Sequence, residues 1–124
     1  MKIAFTMDDL PLWPQSYPPQ GYTADGIVRS IRDALTEHAI ESVYSFSNSW
    51  SLARHPEMSK ILDDWVADGH HLANHTHSHL QLPDVTAEAF IADIDEAQRC
   101  LAPWTSQAPL KLFRHPLCHW GETP

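Results

Sequence analysis

The chain has 124 residues, 43% of them hydrophobic, with 8 basic and 16 acidic side chains and a formal net charge of -8. A chain this long buries about two thirds of its unfolded surface, so it holds one domain with a real core, but a complete eight-unit β/α barrel needs about 250 residues. The acidic balance and the scattered Lys and Arg argue against a nucleic-acid or anionic-membrane partner, and neither an apolar stretch of ~20 residues nor a signal peptide is present, which leaves a cytoplasmic location as the default.

Residues 2–6 are β-prone and run into two acids, as a buried strand does when its C-terminal end opens onto polar chemistry. Residues 10–22 hold Pro11, Pro14, Pro18, Pro19 and Gly21. They predict a loop, longer than the usual span of about 2 to 6 residues for a βα connection and suited to a lid or binding loop. Thr23 N-caps a helix over 24–38, in which Ile27, Val28, Ile31, Ala34 and Leu35 form one apolar face. Residues 42–47, with Val43, Tyr44 and Phe46, predict a second strand, and a Ser/Asn loop runs on to His55. Pro56 takes a first helical position; Met58, Ile61, Leu62, Trp65 and Val66 line the helix, and Gly69 supplies a left-handed stop. Residues 71–74 predict a third strand. Thr86 caps a third helix carrying Phe90, Ile91, Ile94, Ala97 and Leu101, which Pro103 ends. Residues 110–113 predict a fourth strand leading into Arg114.

This βαβαβαβ order implies parallel strands with right-handed crossovers, an α/β fold whose reactive groups gather at the C-terminal ends of the strands. Asp8 and Asp9 follow the first strand, the histidines from His75 to His79 the third, and Arg114 the fourth. All three groups fall on one rim, so one site is the economical expectation.

Nine histidines stand out in the composition, and five of them lie between His70 and His79. His75 and His79 are four apart, so a helical turn would aim both imidazoles at one metal ion. Asp8 and Asp9 offer the carboxylate that completes a two-His, one-carboxylate set with a position left for water. Consecutive residues leaving a strand point in opposite directions, so one acid binds metal while the other faces the open position as a base. A metal that lowers the pKa of its bound water towards about 7, beside a carboxylate that takes the proton, is machinery for hydrolysing an amide or ester. Arg114 suits a cation that holds the base ionised and oriented. Thr76 stands where a zinc protease needs Glu, and neither a Gly-rich phosphate loop nor a Gly-x-Ser-x-Gly elbow occurs. Cys100 and Cys118 are too few for a disulfide framework or a four-thiolate zinc site, and read as incidental.

With these residues in place, the sequence resembles the polysaccharide deacetylase family, carbohydrate esterase family 4, which shares the NodB-homology domain. Thr6-Met7-Asp8-Asp9 is similar to its first motif, with Leu10-Pro11 where Gly is usual. His75-Thr76-His77-Ser78-His79, preceded by Gly69-His70 and Asn74, matches its second, and Arg114-His115-Pro116 matches the start of its third. The resemblance implies Asp8 as catalytic base, Asp9, His75 and His79 as metal ligands, and Arg114 as the residue tuning Asp8. It also implies a distorted (β/α) barrel and one divalent metal, usually zinc and otherwise cobalt, nickel or manganese.

Leu117-Cys118-His119 departs from the aromatic and Gly that normally continue the third motif, so the groove wall beside Pro116 is expected to differ from the family's. The family's fourth and fifth motifs, the latter with its general-acid His, have no counterpart in the 124 residues. The expectation is therefore residues 1–124 as a single NodB-homology domain, truncated at the C-terminus to a partial barrel, with a homodimer or the missing half as its partner. Its expected reaction is removal of N- or O-acetyl groups from a carbohydrate, with Trp13, Trp50 and Pro116 at the substrate. Hydrolysis of a small cyclic amide, as in allantoinase-like relatives of this fold, is the alternative enzyme reading. A non-catalytic metal- or carbohydrate-binding fragment is the non-enzymatic one.

Overall fold

A computed structural model describes residues 1–13 and 17–121. Pro14 and its two successors in the expected loop lie outside the described residues. Three short parallel strands, β1 (Thr6–Asp8), β2 (Tyr44–Ser47) and β3 (His71–Asn74), lie in sequential order. Thr6 pairs with Tyr44 and Asp8 with Phe46, while Tyr44 pairs with His71 and Ser47 with Asn74. Strands β2 and β3 each bury three consecutive residues, as parallel strands do when both sheet faces are covered.

Helix α1 (Ala24–Glu37) is capped as expected, with the Thr23 hydroxyl accepting from the Gly26 N–H at 3.0 Å. It packs on α3 (Ser59–Ala67), which with α4 (Ala87–Thr105) packs on β3. The core is Val28 of α1, Val43, Ile61, Leu62 and Trp65 of α3, Leu72 of β3, and Ala97, Leu101 and Trp104 of α4. Gly69 stops α3 with φ +87, the left-handed conformation for which glycine lacks a steric penalty.

Four expectations need correction. The first strand is Thr6–Asp8 rather than residues 2–6, because Ser42, with φ 55, turns the chain before it can offer Ala4 and Phe5 a partner. The Ser/Asn segment contains a short helix, α2 (Trp50–Arg54), in which the Arg54 guanidinium lies 3.8 Å from the Trp50 ring centroid. Pro103 lies within α4 rather than ending it. The turn beyond the proline is anchored by Trp104, whose indole donates to Asp63 at 2.7 Å, and by the Thr105 hydroxyl, which donates to the Leu101 carbonyl. The fourth strand shrinks to one parallel bridge between Phe113 and Asn74. Upstream of it, the Tyr44 hydroxyl binds the Leu110 N–H at 2.9 Å and Lys111 reaches back to the Thr105 and Ala108 carbonyls, which holds the segment away from a longer ladder.

Cys100 and Cys118 are both free thiols. Among the described residues no helix is long and apolar enough to cross a membrane.

His70 is 3% exposed and packs against Trp65, and its Nδ1 accepts from the Val43 N–H at 3.3 Å. A protonated ring cannot accept that bond, and burial lowers its pKa below the ordinary 6.5, with Asp68 opposing. A depressed histidine pKa contributes stability above about pH 6.5 that is lost as pH falls through the folded-state value. The urea midpoint should therefore drop between about pH 7.5 and about pH 5, and drop less in His70→Asn, which keeps an acceptor without a titrating ring. Equal drops in the two proteins would remove His70 from the pH dependence.

Candidate active site

The three ionisable groups expected on one rim do meet. Asp8 ends β1, and Asp9, the next residue, has φ 70, a conformation that Asp tolerates better than most side chains. That turn overrides strand alternation, so both acids face the same histidine: the Asp8 Oδ2 lies 4.0 Å and the Asp9 Oδ1 3.8 Å from the His75 Nε2. The Asp9 Oδ1 is also 3.5 Å from the His79 Nε2. The His75 and His79 rings stand edge to face, 5.1 Å apart at 74°.

The histidines do not share a helical face. Residues 75–79 form a non-helical turn in which Thr76 and His79 have φ 68 and 58. Side chains from elsewhere hold it open. The Asn74 Oδ1 accepts from the Thr76 N–H at 2.8 Å, and the Asp93 Oδ2 accepts from the Ser78 N–H at 2.9 Å. The buried Asn48 amide donates to the His75 carbonyl at 2.8 Å. Sequence reasoning missed Asn48 and Asp93. Asp93 carried a signal, since it sits three residues after Phe90 and four before Ala97, an acid on the apolar side of its helix.

His75 is the most constrained of the set, with a side chain only 1% exposed. Its Nδ1 lies 2.7 Å from the Arg114 carbonyl oxygen, which only accepts, so Nδ1 carries the hydrogen and the neutral ring turns a bare Nε2 towards Asp9. Burial lowers the His75 pKa and so favours that neutral form. Burial also raises the Asp9 carboxyl, against the opposing pull of His79 and His75.

The Asp9 Oδ1 is buried and has no hydrogen-bond partner, an expensive state for a carboxylate oxygen. Asp9, His75 and His79 each offer one ligand atom within 4.8 Å of the others. Donors about 2.1 Å from a tetrahedral zinc ion stand roughly 3.4 Å apart, close to the 3.5 and 3.8 Å separations from the Asp9 Oδ1. The set fits a divalent ion, and a cation there would satisfy the orphaned oxygen.

Arg114 approaches from the bridged segment. Its Nη1 donates to the Asp8 Oδ1 at 2.6 Å, its Nη2 to the Thr6 hydroxyl at 3.2 Å, and its guanidinium lies 3.9 Å from the Phe46 ring centroid. The Trp13 ring stands edge-on to His79 at 5.8 Å. Trp50 meets the turn through its backbone N–H, which donates to the His77 carbonyl at 3.1 Å, while its ring lies against Arg54. Pro116 is fully buried. His115 stacks on Phe90 at 5.7 Å and 7°.

Replacing Asn48 by Asp, which keeps the shape but loses the donor, should lower unfolding free energy by about 1–3 kcal/mol. A urea midpoint equal to that of the parent would show that the buried bond to the His75 carbonyl does not hold the turn.

Solved structures share this architecture. A family 4 carbohydrate esterase from Streptomyces lividans, solved with acetate, is 21% identical with a TM-score of 0.68, over 96% of this chain and 53% of that one. The peptidoglycan deacetylase PdaC from Bacillus subtilis is 20% identical with a TM-score of 0.65, over 96% and 50%. The Xyl-CE4 domain of a multidomain xylanase from the hindgut metagenome of Trinervitermes trinervoides gives 17% and 0.70, again over 96% and 50%. The chain spans about half the length of these relatives, and at such identities the likeness is one of fold. The sequence model of the polysaccharide deacetylase family matches residues 1–123, and the chain belongs to that family.

Proposed function

We propose that this chain carries the metal-binding and base half of a deacetylase that removes N- or O-acetyl groups from a carbohydrate. The observation that carries the reading is the buried, unpaired Asp9 Oδ1 between the bare Nε2 of His75 and the Nε2 of His79. These three residues would hold the metal. When bound, such an ion supplies Lewis acidity, lowering the pKa of water towards about 7 and polarising an acyl oxygen. Zinc suits two imidazoles and a carboxylate, and cobalt, nickel or manganese suit the same donors.

Asp8 is the base. It lies beside the ligand cluster, its Oδ2 4.0 Å from His75, and its other oxygen is fixed by Arg114. That charge-assisted bond aims the carboxylate, so that its Oδ2 is placed to take the proton of an attacking water. Arg114 is a positioning residue, since its contacts are to Asp8, Thr6 and Phe46. Trp13, half-exposed beside His79, is a platform on which a sugar face can stack. Trp50, partly exposed with its ring against Arg54, borders the proposed substrate groove, whereas Pro116 is fully buried and can only support that groove from behind.

The sequential strand order continued by the Phe113 bridge is that of a barrel winding in one direction, whereas doubly wound sheets reverse theirs. On this reading residues 1–124 are the N-terminal part of one NodB-homology domain with a distorted (β/α) barrel. Of the relatives named above, one is a peptidoglycan deacetylase and another a family 4 carbohydrate esterase solved with acetate, which supports an acetylated carbohydrate as the substrate class.

In the full protein, Asp8→Asn should cut acetate release by about 10²–10⁴-fold while leaving bound metal per chain unchanged, and His79→Ala should lose both. Acetate release and metal analysis on the same samples check this. Loss of metal in Asp8→Asn would move Asp8 from base to ligand.

A further inference from the structure

Between the two histidines of the Asp9 set, His77 belongs to a different group. One of its ring nitrogens, a carboxylate oxygen of Glu96 and the Sγ of Cys100 all lie within 4.8 Å of one another. Glu96 and Cys100 are four residues apart on α4 and so share a face, with the thiol 3.4 Å from the Glu96 Oε1. His77 is fixed independently of them. Its N–H donates to the Asp93 carbonyl and its carbonyl accepts from Trp50, both at 3.1 Å, and its Nδ1 lies 2.7 Å from the hydroxyl of the buried Ser49. All three side chains are half-buried, which gives access to an ion without full hydration.

The donor chemistry is specific. Thiolate with imidazole and carboxylate suits borderline-soft Zn²⁺ over Mg²⁺ or Ca²⁺, which take oxygen ligands. Arg99 competes for Glu96, forking onto it at 2.5 and 3.2 Å, and Ser49 occupies the Nδ1 of His77, which leaves the Nε2 for an ion. The Arg99 side chain is 71% exposed, so solvent screens the pair and the guanidinium is free to swing away.

We propose that His77, Glu96 and Cys100 form a second metal site, separate from the Asp9 set, for a borderline-soft divalent ion such as Zn²⁺. Binding releases the Cys100 thiol proton to solvent, because the thiolate is the ligand, and leaves one tetrahedral position for water. The ion ties the histidine turn to α4. Cys100, which looked incidental in the sequence, then has a role that needs no second cysteine.

Cobalt discriminates the two sites, since thiolate-to-Co²⁺ charge transfer in the near ultraviolet requires sulfur, and Asp9, His75 and His79 offer none. The full chain carrying Cys118→Ser, in which Cys100 is the only thiol, is titrated with Co²⁺ and followed by absorption and circular dichroism. The expected result is a charge-transfer band that saturates at one equivalent of sulfur-bound ion. It should vanish in Cys100→Ser, shift at least about tenfold to weaker binding in Glu96→Gln and His77→Gln, and persist in Asp9→Asn. No band in the folded Cys118→Ser protein overturns the proposal, whatever the variants do. A band unchanged by both Glu96→Gln and His77→Gln overturns it too, as contact with a thiol alone.

Discussion

The site depends on one hydrogen bond, from the Nδ1 of His75 to the carbonyl of Arg114. It spans 39 residues of sequence and does two things at once. It fixes the imidazole tautomer, so that a buried ring presents a bare Nε2 to Asp9, and it holds the segment from which the Arg114 side chain reaches Asp8. On the proposed reading, ligand orientation and base orientation therefore share one anchor. A carbonyl partner on the non-ligating nitrogen is the usual way a protein sets a metal-binding histidine.

The sheet brings these parts together. Parallel strands put all their C-terminal ends on one side, and the register from β1 through β3 to the Phe113 bridge aligns Asp8, His75 and Arg114. Hydrophobic packing of Leu62, Trp65 and Leu72 below carries no chemistry but holds the strands that do. Polar side chains do the finer work at the rim, where Asn48, Asn74 and Asp93 satisfy the His75 carbonyl, the Thr76 N–H and the Ser78 N–H of the turn.

Much of this was legible in the sequence, and the lapses share a cause. Thr23, Gly69 and the run His71–Asn74 were readable because caps, stops and β-prone runs act over a few residues. Asp8, Asp9, His75, His79 and Arg114 were readable as one group because ionisable clusters following strands share a rim. Where the outcome hinged on a distant partner, local pattern misled. The first strand shifted to match β2, Pro103 stayed helical because Trp104 found Asp63, and four-residue histidine spacing suggested a helix where Asn48 and Asp93, 27 and 15 residues from their partners, impose a turn. Asp9 is the clearest case: strand alternation separates it from Asp8, and a positive φ brings it back.

The proposed function requires that Asp9, His75 and His79 gather at one ion while Asp8 stays free of it. Anomalous diffraction from a crystal of the full protein grown with Zn²⁺ tests this directly. The predicted result is a peak about 2 Å from the Asp9 Oδ1 and the two Nε2 atoms, with Asp8 held on Arg114 outside the coordination sphere. A peak ligated by Asp8 in place of Asp9, or none between the two histidines, would contradict it.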